Sequence, residues 1–363
     1  MNIDIIITQL EPGGAQKASI ELSNGLVTNG DKVRLIFFFK KSKFDIYIND
    51  KVEIIFLQNK VGFIKRALYT PFLLLKLWFY QKPDCVISFT HYANIYSSII
   101  GKIYSIPVII SHRNPLHSHP ALARFGIFLI TFLNLIDGII YVSKSAKDTF
   151  YKLNRYVKCK EFVIYNCVKY NNLYKNNNLK NGFSNNVNNP ENFILSVGRM
   201  TEQKNHKILI HALSKSTFNG RLILVGQGPL RNELEILAKS LNISDRVIFK
   251  DTISNDHVLK LLSSCLALAM PSKYEGMSNV LLEAIVHSAH TIVSDAPSLI
   301  ESVSINNDYY GEIINNKDGW VNSFNNLNNG INVNQKLHND LQERYKETRF
   351  IREFQRAIIA VTP

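Results

Sequence analysis

The feature that most constrains this chain is an alternation that runs twice along it. Short, continuous runs of β-branched and aromatic residues, IDIIIT (3–8), VRLIFFF (33–39), DCVISFT (84–90), PVIIS (107–111), GIIYVS (138–143) and EFVIYN (161–166), alternate with helical stretches. The first such stretch sets Ala15, Ala18, Ile20, Leu22 and Leu26 near helical spacing. None of the strand-like runs alternates polar with apolar residues. A strand lacking a polar face is covered on both sides, which predicts a parallel sheet between layers of helix. The pattern breaks over 171–190, where Asn and Gly dominate. It restarts with FILSVGR (193–199), RLILVG (221–226), RVIFKD (246–251), LALAMPS (266–272) and TIVSD (291–295). So long a patternless stretch is uncommon inside one domain and marks a boundary.

The expected fold class is α/β, with two Rossmann-like doubly wound domains facing across a cleft. The first spans 1–170, a linker 171–190, and the second 191–342. The tail within 343–363 reads as a basic amphipathic helix over 343–360 that packs back on the N-terminal domain. A length of 363 residues suits two domains with real cores, and 46% hydrophobic against 20% charged residues excludes a disordered chain. Lys and Arg number 42 against 29 Asp and Glu, a net charge of +13. Such a surface attracts polyanions: nucleic acid, an acidic bilayer face or phosphorylated small molecules.

Cys85, Cys159, Cys167 and Cys265 show no metal-ligand or redox spacing, which predicts free thiols in a reducing, cytoplasmic setting. The N-terminus lacks the basic start and cleavage site of a signal peptide. The apolar stretches at 69–80 and 125–136 fall short of the roughly 18–20 residues needed to span a bilayer. Lys60, Lys65, Arg66, Lys76 and Lys82 surround the first of them, a composition suited to a helix in the headgroup layer. A peripheral association with an anionic membrane surface is the expectation this supports.

Four clusters sit where such an architecture binds ligands, beyond the carboxyl ends of strands. Gly13 and Gly14 open the first helix, where backbone N–H groups meet anions. Arg199 and Lys204 follow the first strand of the second half and suit a diphosphate. Gly226 and Gly228, past the next strand, permit either close approach to a base or ribose or an ordinary turn. In SKYEGMSNVLLEAIVHS, Glu275 lies in a loop and Glu283 about two turns into the following helix. Gly276, Met277 and Ser278 stand at that helix start.

These motifs, with PDCVISFTHYAN, IPVIISHRN, VIYNCV, SVGRMTEQKNH and LILVGQGPLRNELE, span nearly the whole chain. Together they resemble the retaining glycosyltransferases of family 4, the glycogen-synthase-like group with the GT-B fold, which build bacterial surface polysaccharides. MPSKYEGMSNVLLEA carries the family's E-x7-E signature. The resemblance implies that Arg199 and Lys204 hold the donor diphosphate and that Glu275 touches the transferred sugar. It places the amides of Gly276, Met277 and Ser278 close by, and Glu283 on the nucleotide ribose. Gly13 and Gly14 would face the phosphate or acceptor from the other lobe. The family's usual His near the transferred sugar is Arg113 here, with His112 adjacent.

The usual Gly and Pro after the signature helix are Ser288 and His290, and the glycine pair after TIVSD is Pro297-Ser298. Pro cannot donate a backbone hydrogen bond, so donor geometry at that loop should differ. The resemblance implies a nucleotide-sugar donor, UDP before GDP, carrying a hexose or N-acetylhexosamine. The implied acceptor is a glycan or a polyprenyl-diphosphate-linked saccharide. No cofactor is expected, and, with no Asp-x-Asp motif, no metal. Two other classes stay open: a nucleotide-sugar epimerase, and a basic nucleic-acid-binding module. Scattered Lys and Arg without a binding motif argue against nucleic acid.

Overall fold

The computed structural model describes residues 1–10, 13–40, 47–58, 63–169, 192–327 and 334–362. The linker over 171–190 lies outside them, as do Lys60 and the side chains of Lys65 and Arg66. The chain separates into two compact units, Met1–Cys167 with Glu347–Pro363, and Val168–Lys346.

The first unit is built on a sheet whose strands all pair in parallel. They are β1 (Asn2–Leu10), β2 (Lys32–Lys40), β3 (Glu53–Gln58), β4 (Cys85–Phe89), β5 (Val108–His112), β6 (Gly138–Tyr141) and β7 (Lys160–Val163). Their spatial order is β3-β2-β1-β4-β5-β6-β7. Strands β4, β5 and β6 are buried along their whole length, which is why they read as unbroken apolar runs. Strand β3 corrects the sequence reading, which placed only helix between β2 and β4. As an edge strand it is half covered, and it begins at an exposed Glu53.

Right-handed crossovers decide which face each helix covers. Helix α1 (Gly14–Thr28) carries the chain from β1 to β2, and lies with the C-terminal helix on one face. Helices α2 (Phe63–Tyr80), α3 (His91–Tyr104) and α4 (Ala121–Phe132) run the other way across the sheet and cover the opposite face. Two short helices follow β6, α5 (Lys144–Asp148) and α6 (Tyr151–Asn154). At the opposite end of the sheet from its carboxyl ends, Asp4 is buried under a two-pronged contact from Arg34, at 2.7 and 2.8 Å, and Trp78 Nε1 at 2.8 Å.

The second unit repeats the design. It contains β8 (Phe193–Val197), α7 (Lys207–Lys215), β9 (Arg221–Val225), α8 (Arg231–Ser240), β10 (Val247–Lys250) and α9 (Asn255–Ser264). After these come β11 (Ala267–Met270), α10 (Asn279–Val286), β12 (Thr291–Ser294) and α11 (Pro297–Val303). A two-stranded ribbon, β13 (Ser304–Ile305) with β14 (Asp308–Tyr309), precedes β15 (Glu312–Ile314), α12 (Lys317–Asn326) and α13 (Gln335–Arg344). The parallel sheet runs β10-β9-β8-β11-β12-β15. Its last strand, only three residues long, is absent from the sequence reading.

The tail forms α14 (Glu347–Val361), which joins the first unit. Phe350, Ile351, Phe354, Ala357 and Ile358 enter the core that also holds Ile20, Leu22 and Leu26 of α1. A side chain at Gly25 would meet Ile351 Cδ1 at 2.2 Å, so glycine there sets how closely these helices approach. Cys85, Cys167 and Cys265 are buried and Cys159 is half-buried, all as free thiols; burial pushes Cys85 and Cys265 up to about 12.

Candidate functional site

In doubly wound sheets ligands gather where the strand order reverses, beyond the carboxyl ends. Each unit has one such point: between β1 and β4 in the first, and between β8 and β11 in the second. Side-chain contacts cross both points.

In the second unit the loop after β8 carries Arg199 and Lys204, and the loop after β11 carries Glu275. Lys204 Nζ lies 2.5 Å from Glu275 Oε1, with both side chains largely covered. Backbone and amide contacts fix the loops behind this pair: Lys273 N donates to Gln203 O at 2.8 Å, and Gln203 Nε2 donates to Tyr274 O at 2.9 Å. Arg199 is exposed at the strand end. Glu283 is buried in the second turn of α10. Gly276, Met277 and Ser278 are buried just ahead of that helix, whose start has no side-chain cap. The structure thus assembles Arg199, Lys204, Glu275 and the α10 start around one switch point.

Gly226 and Gly228 have a different place. A Cβ on Gly226 would lie 2.1 Å from Gly198 O, and one on Gly228 would lie 2.4 Å from Met200 O. Met200 N donates to Gln227 O at 3.0 Å, and Leu230 N to Met200 O at 3.1 Å. These glycines accommodate the backbone of the Arg199 loop, so their contribution is to hold that loop against the next one. Gly198 likewise gives the stem of Lys204 room to cross it, with Cε 3.0 Å from where a Cβ would be.

In the first unit, Gly13 and Gly14 are exposed at the start of α1, with Gly13 as an N-cap in extended conformation. Across the switch point Thr8 Oγ1 and Thr90 Oγ1 are 2.6 Å apart. Thr90 adopts φ 81°, a strained setting for a β-branched residue, and strain of this kind concentrates at functional sites. Sequence reasoning quoted the SFTHYAN segment without assigning Thr90 a role; nothing in residue type announces a positive φ.

Arg113 is buried, and burial pulls its guanidinium down to about 10. Its Nη2 donates to Asn166 Oδ1, and its guanidinium carbon sits 5.6 Å from the Phe89 ring centre. Nε has no partner, and no carboxylate pairs with this cation, among the described residues. A desolvated cation without a counter-charge is expensive, so an anionic ligand would find it already aimed. His112 is buried differently. Its ring lies 4.3 Å from that of Phe150 and 5.7 Å from that of Tyr141. Burial, aided by nearby His119, pushes its imidazole down to about 3. In this arrangement His112 packs and positions the strand end from which Arg113 extends.

The departures after the signature helix are absorbed locally. Ser288 takes the left-handed conformation at φ 66° that glycine would adopt freely, and its Oγ lies 3.3 Å from His338 Nε2. His290 Nε2 meets Glu312 Oε1 at 3.2 Å. Pro297 begins α11, where its missing N–H costs no helical bond.

A likeness to solved structures fixes the class of fold. The Anabaena protein Alr3699/HepE, crystallised in complex with UDP, is 16% identical and superposes with a TM-score of 0.78 over 99% of this chain and all of that one. Two Rossmann-like domains of this kind are the GT-B fold. The family model described as Glycosyltransferase Family 4 matches residues 12–171, and Glycosyl transferases group 1 matches 178–347. The chain belongs to the GT-B-fold glycosyltransferases.

Among curated relatives, two are from Campylobacter jejuni. The N-acetylgalactosamine-N,N'-diacetylbacillosaminyl-diphospho-undecaprenol 4-alpha-N-acetylgalactosaminyltransferase is 36% identical over 108 residues, 30% of this chain and 29% of the relative. The match therefore spans less than a third of that protein. The GalNAc-alpha-(1->4)-GalNAc-alpha-(1->3)-diNAcBac-PP-undecaprenol alpha-1,4-N-acetyl-D-galactosaminyltransferase is 28% identical over 298 residues, 78% of this chain and 77% of that one.

Proposed function

We propose that this chain transfers a hexose or N-acetylhexosamine, with retained anomeric configuration, from a UDP-sugar to a hydroxyl of a lipid-linked saccharide at the cytoplasmic side of a membrane. The observation that carries this reading is the ion pair Lys204–Glu275 across the second unit's switch point, with Arg199 exposed at the end of β8.

Arg199 and Lys204 supply fixed positive charge where a diphosphate would sit, and the uncapped start of α10 adds backbone donors. Breaking the bond from the sugar's anomeric carbon to phosphate leaves its electron pair on the diphosphate. Cations already in place there stabilise that charge without reorganising. The acceptor oxygen then bonds to the same face of the anomeric carbon, and its proton goes to the departing phosphate oxygen. Glu275, charge-paired with Lys204, accepts from sugar hydroxyls, and Glu283 accepts from the ribose. In the first unit Gly13, Gly14 and the uncompensated Arg113 receive the acceptor's anionic end or the donor phosphate.

No metal ion is required under this reading, because protein cations take its place. Among the described residues there is no group of three or more His, Cys, Asp or Glu that could hold a metal ion. The test is an NMR time course with UDP-N-acetylhexosamine, a polyprenyl-diphosphate disaccharide, and EDTA. UDP release coupled to an α-linked product supports the proposal. Donor interconversion without acceptor indicates an epimerase, activity with GDP-mannose alone corrects the nucleotide, and restoration only by Mn²⁺ refutes metal independence.

A further inference from the structure

We infer that the outer face formed by α2, α3 and α4 is a docking surface for an anionic lipid bilayer. The three helices are neighbours on one side of the first sheet and share one core. Their inner stripes fill that core with Leu74, Trp78, Ile100, Ile127 and Ile130. Their outer stripes are also apolar. Eleven of the eighteen large hydrophobic side chains exposed among the described residues fall within 69–133.

On α4, Leu122, Phe125, Leu129 and Phe132 form one outward stripe, and Leu122 and Phe125 are 73% and 61% exposed. Beside it α3 presents Ile103, and α2 presents Phe72 and Phe79. Large apolar side chains exposed together on three neighbouring helices mark an interaction site. A groove of about 350 Å³ between β3 and α2, lined by Phe56, Leu73, Leu77 and Tyr80, extends it.

Charge selects the occupant. From residue 61 to 136 the sequence has seven Lys and Arg and a single acid, Asp84. Lys76, Lys82, Lys102 and Arg124 are exposed, and none pairs with a carboxylate among the described residues. Opposite-charge pairs do occur elsewhere on this unit: α14 sets Arg349 against Glu353 at 2.8 Å, and Lys147 meets Glu161 at 3.1 Å. Apolar side chains interleaved with unpaired cations, and almost no anions, fit the headgroup layer of an anionic membrane. No helix among the described residues is long and apolar enough to cross a membrane. This surface stands apart from the transferase chemistry and does not depend on it.

Vesicle flotation of the full chain tests it, with phosphatidylcholine alone and phosphatidylcholine mixed with phosphatidylglycerol. Binding to the mixed vesicles, weakening at least tenfold as salt rises from about 0.1 M to about 1 M, is the expected result. Phe125→Glu with Phe132→Glu should remove it. Lys76→Glu with Arg124→Glu should weaken it by on the order of tenfold or more. Ile236→Glu, an exposed position on α8 of the other unit, should change nothing. Melting temperatures report folding of each variant. Equal binding to both vesicle types overturns the proposal. So does a dimer seen by light scattering that Phe125→Glu dissociates, with no vesicle binding by the wild type.

Discussion

Lys204 Nζ and Glu275 Oε1 stand 2.5 Å apart although 71 residues separate them in sequence. The pair ties the loop after β8 to the loop after β11, and it means that neither group acts alone. Removing either leaves the other partly covered and uncompensated, so the two substitutions should be strongly non-additive. Lys204→Ala and Glu275→Gln are each expected to lower kcat by about 10²–10³, and the double variant by little more than the worse single one. Steady-state kinetics on the three variants checks this; simple multiplication of the two losses would show that the residues work independently.

Gly226→Ala pushes a methyl group into the Gly198 carbonyl, 2.1 Å away, and backbone cannot yield as a flexible side chain can. A loss of about 1–3 kcal/mol is expected. Because the displaced loop carries Arg199, donor affinity should fall with it. Chemical denaturation and UDP titration on one preparation read both effects.

Ser288 holds a conformation, φ 66°, that side-chain-bearing residues adopt at a cost. Ser288→Gly should therefore stabilise the protein by about 0.5–1 kcal/mol even though it gives up the contact to His338. A higher melting temperature with unchanged activity is the predicted outcome.

Two buried imidazoles, His112 and His206, and the half-buried His119 make stability depend on pH. Burial, with help from His119, pushes His112 down to about 3; burial, with His91, pushes His119 to about 4; burial, with Lys204, pushes His206 to about 4. All three stay neutral in the folded protein at pH 5, whereas the unfolded chain protonates them near the ordinary 6.5. Between those values the unfolded state binds more protons, so stability falls as pH drops through that window. Melting temperatures from pH 7 to pH 4.5 should decline, and His112→Phe, which keeps a ring against Phe150, should make the decline shallower.

Much of the fold was legible because its central strands are covered on both faces. The runs at 84–90 and 107–111 needed no alternation to be recognised, since β4 and β5 have no solvent side. Strands at the edges were not legible for the converse reason. β3 is partly exposed and β15 is three residues long, so neither leaves an unbroken apolar signature. The site residues of the second unit could be picked out one by one from strand ends and glycines. Their pairing could not, because contact between Lys204 and Glu275 follows from the β8–β11 adjacency. The burial of His112 against Phe150 and the strained Thr90 are likewise products of packing, invisible in residue type.

Under the proposed function, fixed cations at the second unit's switch point hold a donor diphosphate. Calorimetry with UDP and with uridine, on wild type and Arg199→Ala, tests it most directly. Wild type should bind UDP far more tightly than uridine. Arg199→Ala should lose on the order of tenfold to a hundredfold in UDP affinity while uridine binding stays unchanged. Equal affinity of wild type for UDP and uridine, or an Arg199→Ala variant that binds UDP as wild type does, would contradict it.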